Sequence, residues 1–312
     1  MYAFKIFLND TSFFLSISLS IFLSPTFRSL AIWPSSRLVG LIFFVISIYE
    51  FLKFLSTHKI SHMWKNVILL IAASYVSPNF SLFIIFFFIH YFKKIDFKNL
   101  IPIMLFCICA SIPALYYIFI LDINFLLAGT PGINESEAIS LNFNISDKIL
   151  IISTILFFHL LPFLINKKFI NNFFKSSKKD IIVTAAFFII NLYFFNYLMN
   201  FTGGGIFFQL SNFFFKNNYF FYLVSFVSLM LLCYLSKRDT NNFTIFFLLI
   251  ISNIQNTIYH KYYDPLIMIL FFTLLNTNLN YTFFKNRNNI FYVYFFYFIY
   301  ILMRIIKNNY LH

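Results

Sequence analysis

The sequence predicts an all-α protein, a polytopic bundle of about nine full transmembrane spans plus a broken helix pair. Three observations point there. Only 11% of the 312 residues are charged, against about 25% in an ordinary soluble domain, too few to cover a water-facing surface. The mean hydropathy is +0.81. Apolar runs recur along the chain near the roughly 20 residues that a straight helix needs to cross a bilayer. Helices satisfy their backbone groups internally, so such runs are read as helices when lipid is the solvent.

The runs fall at 4–24, 38–55, 99–121, 149–165, 180–198, 219–235, 243–257, 265–281 and 290–306. The first contains Thr11 to Ser24, lacks a small-x-small cleavage site and runs into Pro25 and Arg28; a retained helix is expected there rather than a cleaved signal. The stretch Trp64 to Tyr91 is too long for one crossing and is interrupted by Ser77-Pro78-Asn79. Proline removes a backbone donor, so two short helices with a break at one membrane face are predicted. Residues 1–312 read as one integral membrane domain.

The formal net charge is +13. In a soluble protein that balance would suggest nucleic acid. Here the basic residues sit in short clusters between apolar runs, which is how topology signals are written, and no continuous basic face exists to bind a phosphate backbone. With Lys5 in the cytoplasm, inside loops carry Lys53/Lys59/Lys65, Lys93/Lys94/Lys98, Lys167/Lys168/Lys175/Lys178/Lys179, Lys237/Arg238 and Lys285/Arg287. These are most of the 23 basic residues. The same orientation places Asp122, Glu135, Glu137 and Asp147 outside, around the longest polar stretch of the chain.

Other residue types exclude chemistry. Fifty-one Phe and 20 Tyr read as lipid-facing filler rather than aromatic binding platforms. Cys107, Cys109 and Cys233 lie inside apolar runs with neither disulfide nor metal spacing. His58 and His62 are four apart, a spacing that holds metal on a helix, but no third ligand stands near them in sequence. His90 and His159 are single residues within spans and read as packing. No metal and no cofactor are expected.

The polar residues of interest gather, in this topology, on the external face. Arg28 and Arg37 flank Trp33-Pro34, Asn79 sits in the helix break, and Gly203-Gly204-Gly205 opens a loop. His260-Lys261-Tyr262-Tyr263-Asp264-Pro265 begins a helix. Cationic and imidazole donors suit a phosphate, and tyrosines suit a sugar or headgroup edge. The same Tyr and Lys residues also suit a plain interfacial anchor. The glycines suit a flexible re-entrant or lid segment. A base for a sugar hydroxyl would come from Asp264, Glu135 or Glu137.

Four short segments together give the chain a resemblance to the GT-C superfamily of multi-spanning glycosyltransferases. They are Ser24-Pro25-Thr26-Phe27-Arg28 with Trp33-Pro34, Tyr75-Val76-Ser77-Pro78-Asn79-Phe80, Gly203-Gly204-Gly205-Ile206-Phe207-Phe208, and His260 to Pro265. The resemblance implies a GT-C-like fold in the bacterial inner membrane. It implies transfer of a sugar from a polyprenyl-phosphate-linked donor to a lipid-linked or envelope glycan acceptor on the external face. Arg28, Arg37, Asn79, His260, Lys261 and Tyr263 would bind substrate and its phosphate, and Asp264, Glu135 or Glu137 would be catalytic. Family members carry an acidic residue in the first external loop, whereas Pro25 to Arg37 contains no Asp or Glu. The chain is therefore expected to lack an N-terminal helix pair of that fold, to use another carboxylate, or to be inactive. Two other functions fit the composition. An O-antigen or polysaccharide polymerase would carry a larger Arg-rich external loop, and a polytopic transporter or flippase would show mid-membrane polar residues and a repeat.

Overall fold

The computed structural model describes residues 17–32, 36–121, 144–165, 167–174, 178–198, 203–253, 258–275, 283 and 286–310. Among these the regular structure is helical, with no strand. In chain order the α-helices are α1 (Pro25–Ile32), α2 (Ser36–Thr57), α3 (Ile60–Val76), α4 (Phe83–Phe92), α5 (Phe97–Phe119), α6 (Ile145–Leu160) and α7 (Lys167–Phe174). They continue with α8 (Lys178–Tyr193), α9 (Gly205–Phe215), α10 (Tyr219–Arg238), α11 (Thr240–Ile251), α12 (Asp264–Thr273) and α13 (Ile290–Tyr310).

Five helical segments are long and apolar enough to cross a membrane: Ser36–Thr57, Phe97–Phe119, Ile145–Ile165, Tyr219–Lys237 and Arg287–Ile306. The protein is a helical integral membrane protein. The runs expected as full spans at 180–198, 243–257 and 265–281 form shorter helices among the described residues. The 10 residues of α12, at about 1.5 Å each, reach only half of a roughly 30 Å hydrocarbon core. Most of the run 4–24 lies outside the described residues, and its end is the 3-10 turn Ser20–Leu23. The break expected at Ser77-Pro78-Asn79 is present. Ser77 turns extended (φ −146, ψ 100) ahead of Pro78, which starts a 3-10 turn, as the clash between a proline ring and the preceding residue requires.

The chain divides into two compact units. One comprises Met1–Trp33, Asn144–Phe247 and Ile258–His312. Its central element is α6, packed against α8, α9, α10 and α12, with Leu150, Ile151, Ile152 and Ile155 almost wholly buried. Asp147, in the first turn of α6, accepts a 2.8 Å hydrogen bond from the Asn196 backbone N–H. A carboxylate there also complements the positive end of the helix dipole.

The other unit comprises Pro34–Phe143 and Leu248–Thr257. The helices α2 and α3 form a hairpin, with Gly40 where they run closest to the proline break. A Cβ at Gly40 would stand 3.1 Å from Ser77 Cβ and 3.3 Å from a Phe80 ring carbon. Polar side chains tie the unit internally. Asn66 Nδ2 donates to the Ser47 carbonyl at 2.8 Å and to Ser47 Oγ at 2.8 Å. Ser47 Oγ donates to the Asn66 carbonyl at 3.0 Å, and Tyr91 Oη donates to Asn66 Oδ1 at 2.7 Å. All three residues are fully buried. Between helices in lipid the hydrophobic drive is weak, so such bonds and close packing hold the contact, at about 0.6–2 kcal/mol each.

Asn66→Ala strands the Tyr91 hydroxyl and removes three bonds. It is expected to destabilise the protein by about 2–4 kcal/mol, seen as an earlier thermal transition in detergent. Tyr91→Phe in the same background should recover part of that loss.

Candidate functional site

One buried cluster in the first unit concentrates ionisable side chains from distant parts of the chain. Asp264 occupies the first turn of α12, with Pro265 beside it. Proline is well placed there, because its missing N–H would have had no intrahelical partner. The carboxylate is fully buried. Its Oδ2 accepts a hydrogen bond from Ser24 Oγ at 2.8 Å and a longer one from the Thr26 backbone N–H at 3.4 Å. Ser24 Oγ in turn accepts from the Phe27 N–H at 3.0 Å. Thus the turn that starts α1 caps the carboxylate that starts α12. Since the serine donates to the carboxylate and not to an imidazole, Ser24 is not arranged as a nucleophile.

Two imidazoles face the other carboxylate oxygen. His159, in the last turn of α6, places Nε2 3.9 Å from Asp264 Oδ1, beyond hydrogen-bond range. Its Nδ1 lies 2.7 Å from the Tyr297 hydroxyl of α13, so one proton is shared there in either tautomer. His260 stacks on His159 with ring centroids 5.0 Å apart and planes at 28°, while Phe158 meets its ring edge-on at 5.4 Å. Burial is the main reason the His260 imidazole is pushed down to about 3, with His159 adding to the effect and Asp264 opposing it. His260 is therefore neutral at physiological pH.

The cluster leaves polar atoms unsatisfied. His159 Nε2, both ring nitrogens of His260 and Asp264 Oδ1 are buried with no hydrogen-bond partner among the described residues. Each such atom costs about 1–3 kcal/mol. Ligand atoms of the three residues all lie within 4.8 Å of one another, so the open valences converge instead of scattering.

The remaining expected site residues are distributed as follows. Arg28 is exposed on α1, one helical turn beyond Ser24. Lys261 is exposed, with Nζ 4.7 Å above the Tyr259 ring and 5.7 Å from that of Tyr262. Tyr263 is buried at the start of α12. Arg37, at the start of α2, and Asn79, in the 3-10 turn after α3, are half-buried and belong to the other unit. Glu135, Glu137 and the Trp33-Pro34 pair lie outside the described residues.

Two sequence expectations change. The triple glycine is not a free lid. Gly203, Gly204 and Gly205 are buried with φ of 124, 78 and 78, values that side chains with a Cβ rarely adopt. The Gly204 N–H donates to the Ile258 carbonyl at 2.8 Å, and a Cβ on Gly203 would meet that same oxygen at 2.8 Å. The glycines fasten the start of α9 to the strand of chain that leads into His260. His62 also has a carboxylate beside it, Glu50 Oε2 at 2.6 Å from Nδ1, brought there by the α2–α3 hairpin from twelve residues away in sequence.

Sequence reasoning missed His159, Ser24 and Tyr297 as parts of the cluster. A signal existed for His159: an ionisable residue within a span is a functional hypothesis by default. None existed for Tyr297, an ordinary residue type at unremarkable spacing, and Ser24 stood out only as part of the segment 24–28.

Ser24→Ala leaves Asp264 Oδ2 with one long bond and should destabilise the protein by about 1–3 kcal/mol. Gly203→Ala should cost about as much through backbone strain. Thermal unfolding in detergent measures both, and an unchanged midpoint in either variant would contradict the contact it removes. Compared with known proteins, the chain matches no family model, no curated protein and no solved structure.

Proposed function

We propose that this protein is a membrane glycosyltransferase of GT-C type that works at the external face of a bacterial inner membrane. It moves a sugar from a polyprenyl-phosphate-linked donor to a lipid-linked or envelope glycan acceptor. Its support is the hydrogen bond from Ser24 to Asp264. That bond joins two of the segments that carry the resemblance, 24–28 and 260–265, although they are 240 residues apart. Arg28 and Lys261, both exposed, belong to the joined segments and serve as cationic partners for the departing phosphate. Tyr263 belongs to the same segment as Lys261, and His260 enters as a neutral imidazole. The proton of the acceptor hydroxyl passes to a carboxylate, drawn from Asp264, Glu135 and Glu137.

The test uses the purified protein in lipid nanodiscs with a radiolabelled polyprenyl-phosphate sugar and membrane glycolipid as acceptor. Wild-type protein should transfer label. Arg28→Ala and Lys261→Ala should each lose about 100-fold or more in rate while inserting into the membrane as wild type does. Full activity in both variants, or no transfer by the wild type, would reject the proposal.

A further inference from the structure

We infer that His159, His260 and Asp264 form a binding site for a divalent first-row transition metal ion of the zinc class. The inference stands on the geometry of the cluster and does not depend on sugar transfer. Two ligands come from consecutive elements: His260 and Asp264 are four residues apart, in the 3-10 turn His260–Tyr262 and the first turn of α12. The third comes from the end of α6, and the ligand atoms lie within 4.8 Å of one another. A tetrahedral zinc site holds its ligand atoms roughly 3.3 Å apart, so modest side-chain rotation about the ion closes the set.

The atoms are also chemically ready. The side chains of His159 and Asp264 are 1% and 0% exposed, and the atoms turned toward the cluster, His159 Nε2 and Asp264 Oδ1, have no hydrogen-bond partner among the described residues. The atoms turned away are held. Tyr297 Oη engages His159 Nδ1 at 2.7 Å, and Ser24 Oγ donates to Asp264 Oδ2 at 2.8 Å. Outer partners of this kind fix the tautomer and orientation of metal ligands. Two imidazole nitrogens and one carboxylate oxygen suit zinc, cobalt or ferrous ion, whereas magnesium and calcium demand more oxygen. Three protein ligands leave a coordination position open, as in sites where a metal binds a substrate or water. Where sugar transfer also holds, Asp264 keeps the ion and the acceptor's proton goes to Glu135 or Glu137.

Binding is measured on the full-length protein purified in detergent and stripped with chelator. Titration with Co²⁺ alone should give saturable visible absorption at one equivalent, and Zn²⁺ should abolish it. Asp264→Asn and His260→Ala should weaken binding by more than about 100-fold, and Ser24→Ala, acting through the carboxylate, by about 10-fold. His62→Ala should leave it unchanged. X-ray absorption of the wild-type Co²⁺ complex, which needs no variant to fold, should show two imidazoles in the first coordination sphere. No saturable binding up to millimolar Co²⁺, an all-oxygen coordination sphere, or full affinity in both ligand variants would overturn the inference. Because no glycan is used, failure here is separate from failure of sugar transfer.

Discussion

Asp264 has no exposed surface, yet it is the point through which the first unit is joined. A buried carboxylate is tolerated only when hydrogen bonds or charges compensate it. The compensation for Oδ2 comes from Ser24 and Thr26, at the other end of the chain. That requirement brings the turn before α1 against the start of α12. The end of α6 and the middle of α13 follow, because His159 faces Oδ1 and bonds to Tyr297. Four elements are thereby gathered around one side chain, half of whose hydrogen-bonding capacity is still open.

Elsewhere in the protein the same solvent imposes a different use of polar groups. Lipid tails are as apolar as leucine, so burying Phe or Ile between helices gains little over leaving it in lipid. Exposed aromatics such as Phe291 and Tyr219 are accordingly unremarkable on a membrane helix. What distinguishes a helix contact is close backbone approach or a hydrogen bond. The second unit uses both, with Gly40 against the proline break and Asn66 between Ser47 and Tyr91. There both the amide nitrogen and the amide oxygen of Asn66 are hydrogen-bonded inside the unit. The Asp264 cluster does not close on itself in this way, and that contrast is what singles it out as a candidate site.

The glycine-rich segment illustrates how one local signal supports two meanings. Three consecutive glycines in sequence are compatible with mobility, and equally with a backbone that must take positive φ and touch a neighbour. The Ile258 carbonyl, 2.8 Å from the Gly204 nitrogen, selects the second meaning. Its effect is local to the site, since Ile258 stands two residues before His260.

Composition and hydropathy by themselves determined that the chain is helical and built for a membrane, because the cost of exposing an apolar run is a sum over adjacent residues. They also located the break at Ser77-Pro78, where proline acts on its immediate neighbours, and singled out Arg28 and the segment 260–265 as polar interruptions of apolar sequence. The lengths of the short helices were not legible, since apolar residues such as Phe194, Phe195 and Leu198, which lie past the end of α8 at Tyr193, qualify for a span whether or not the helix continues through them. Nor was the site. Whether His159 is packing or part of a cluster, and whether Ser24 is a helix start or the partner of a carboxylate, depends on pairings across more than a hundred residues. Hydrogen bonds of that range have no period and no spacing rule, so only the tertiary structure decided them.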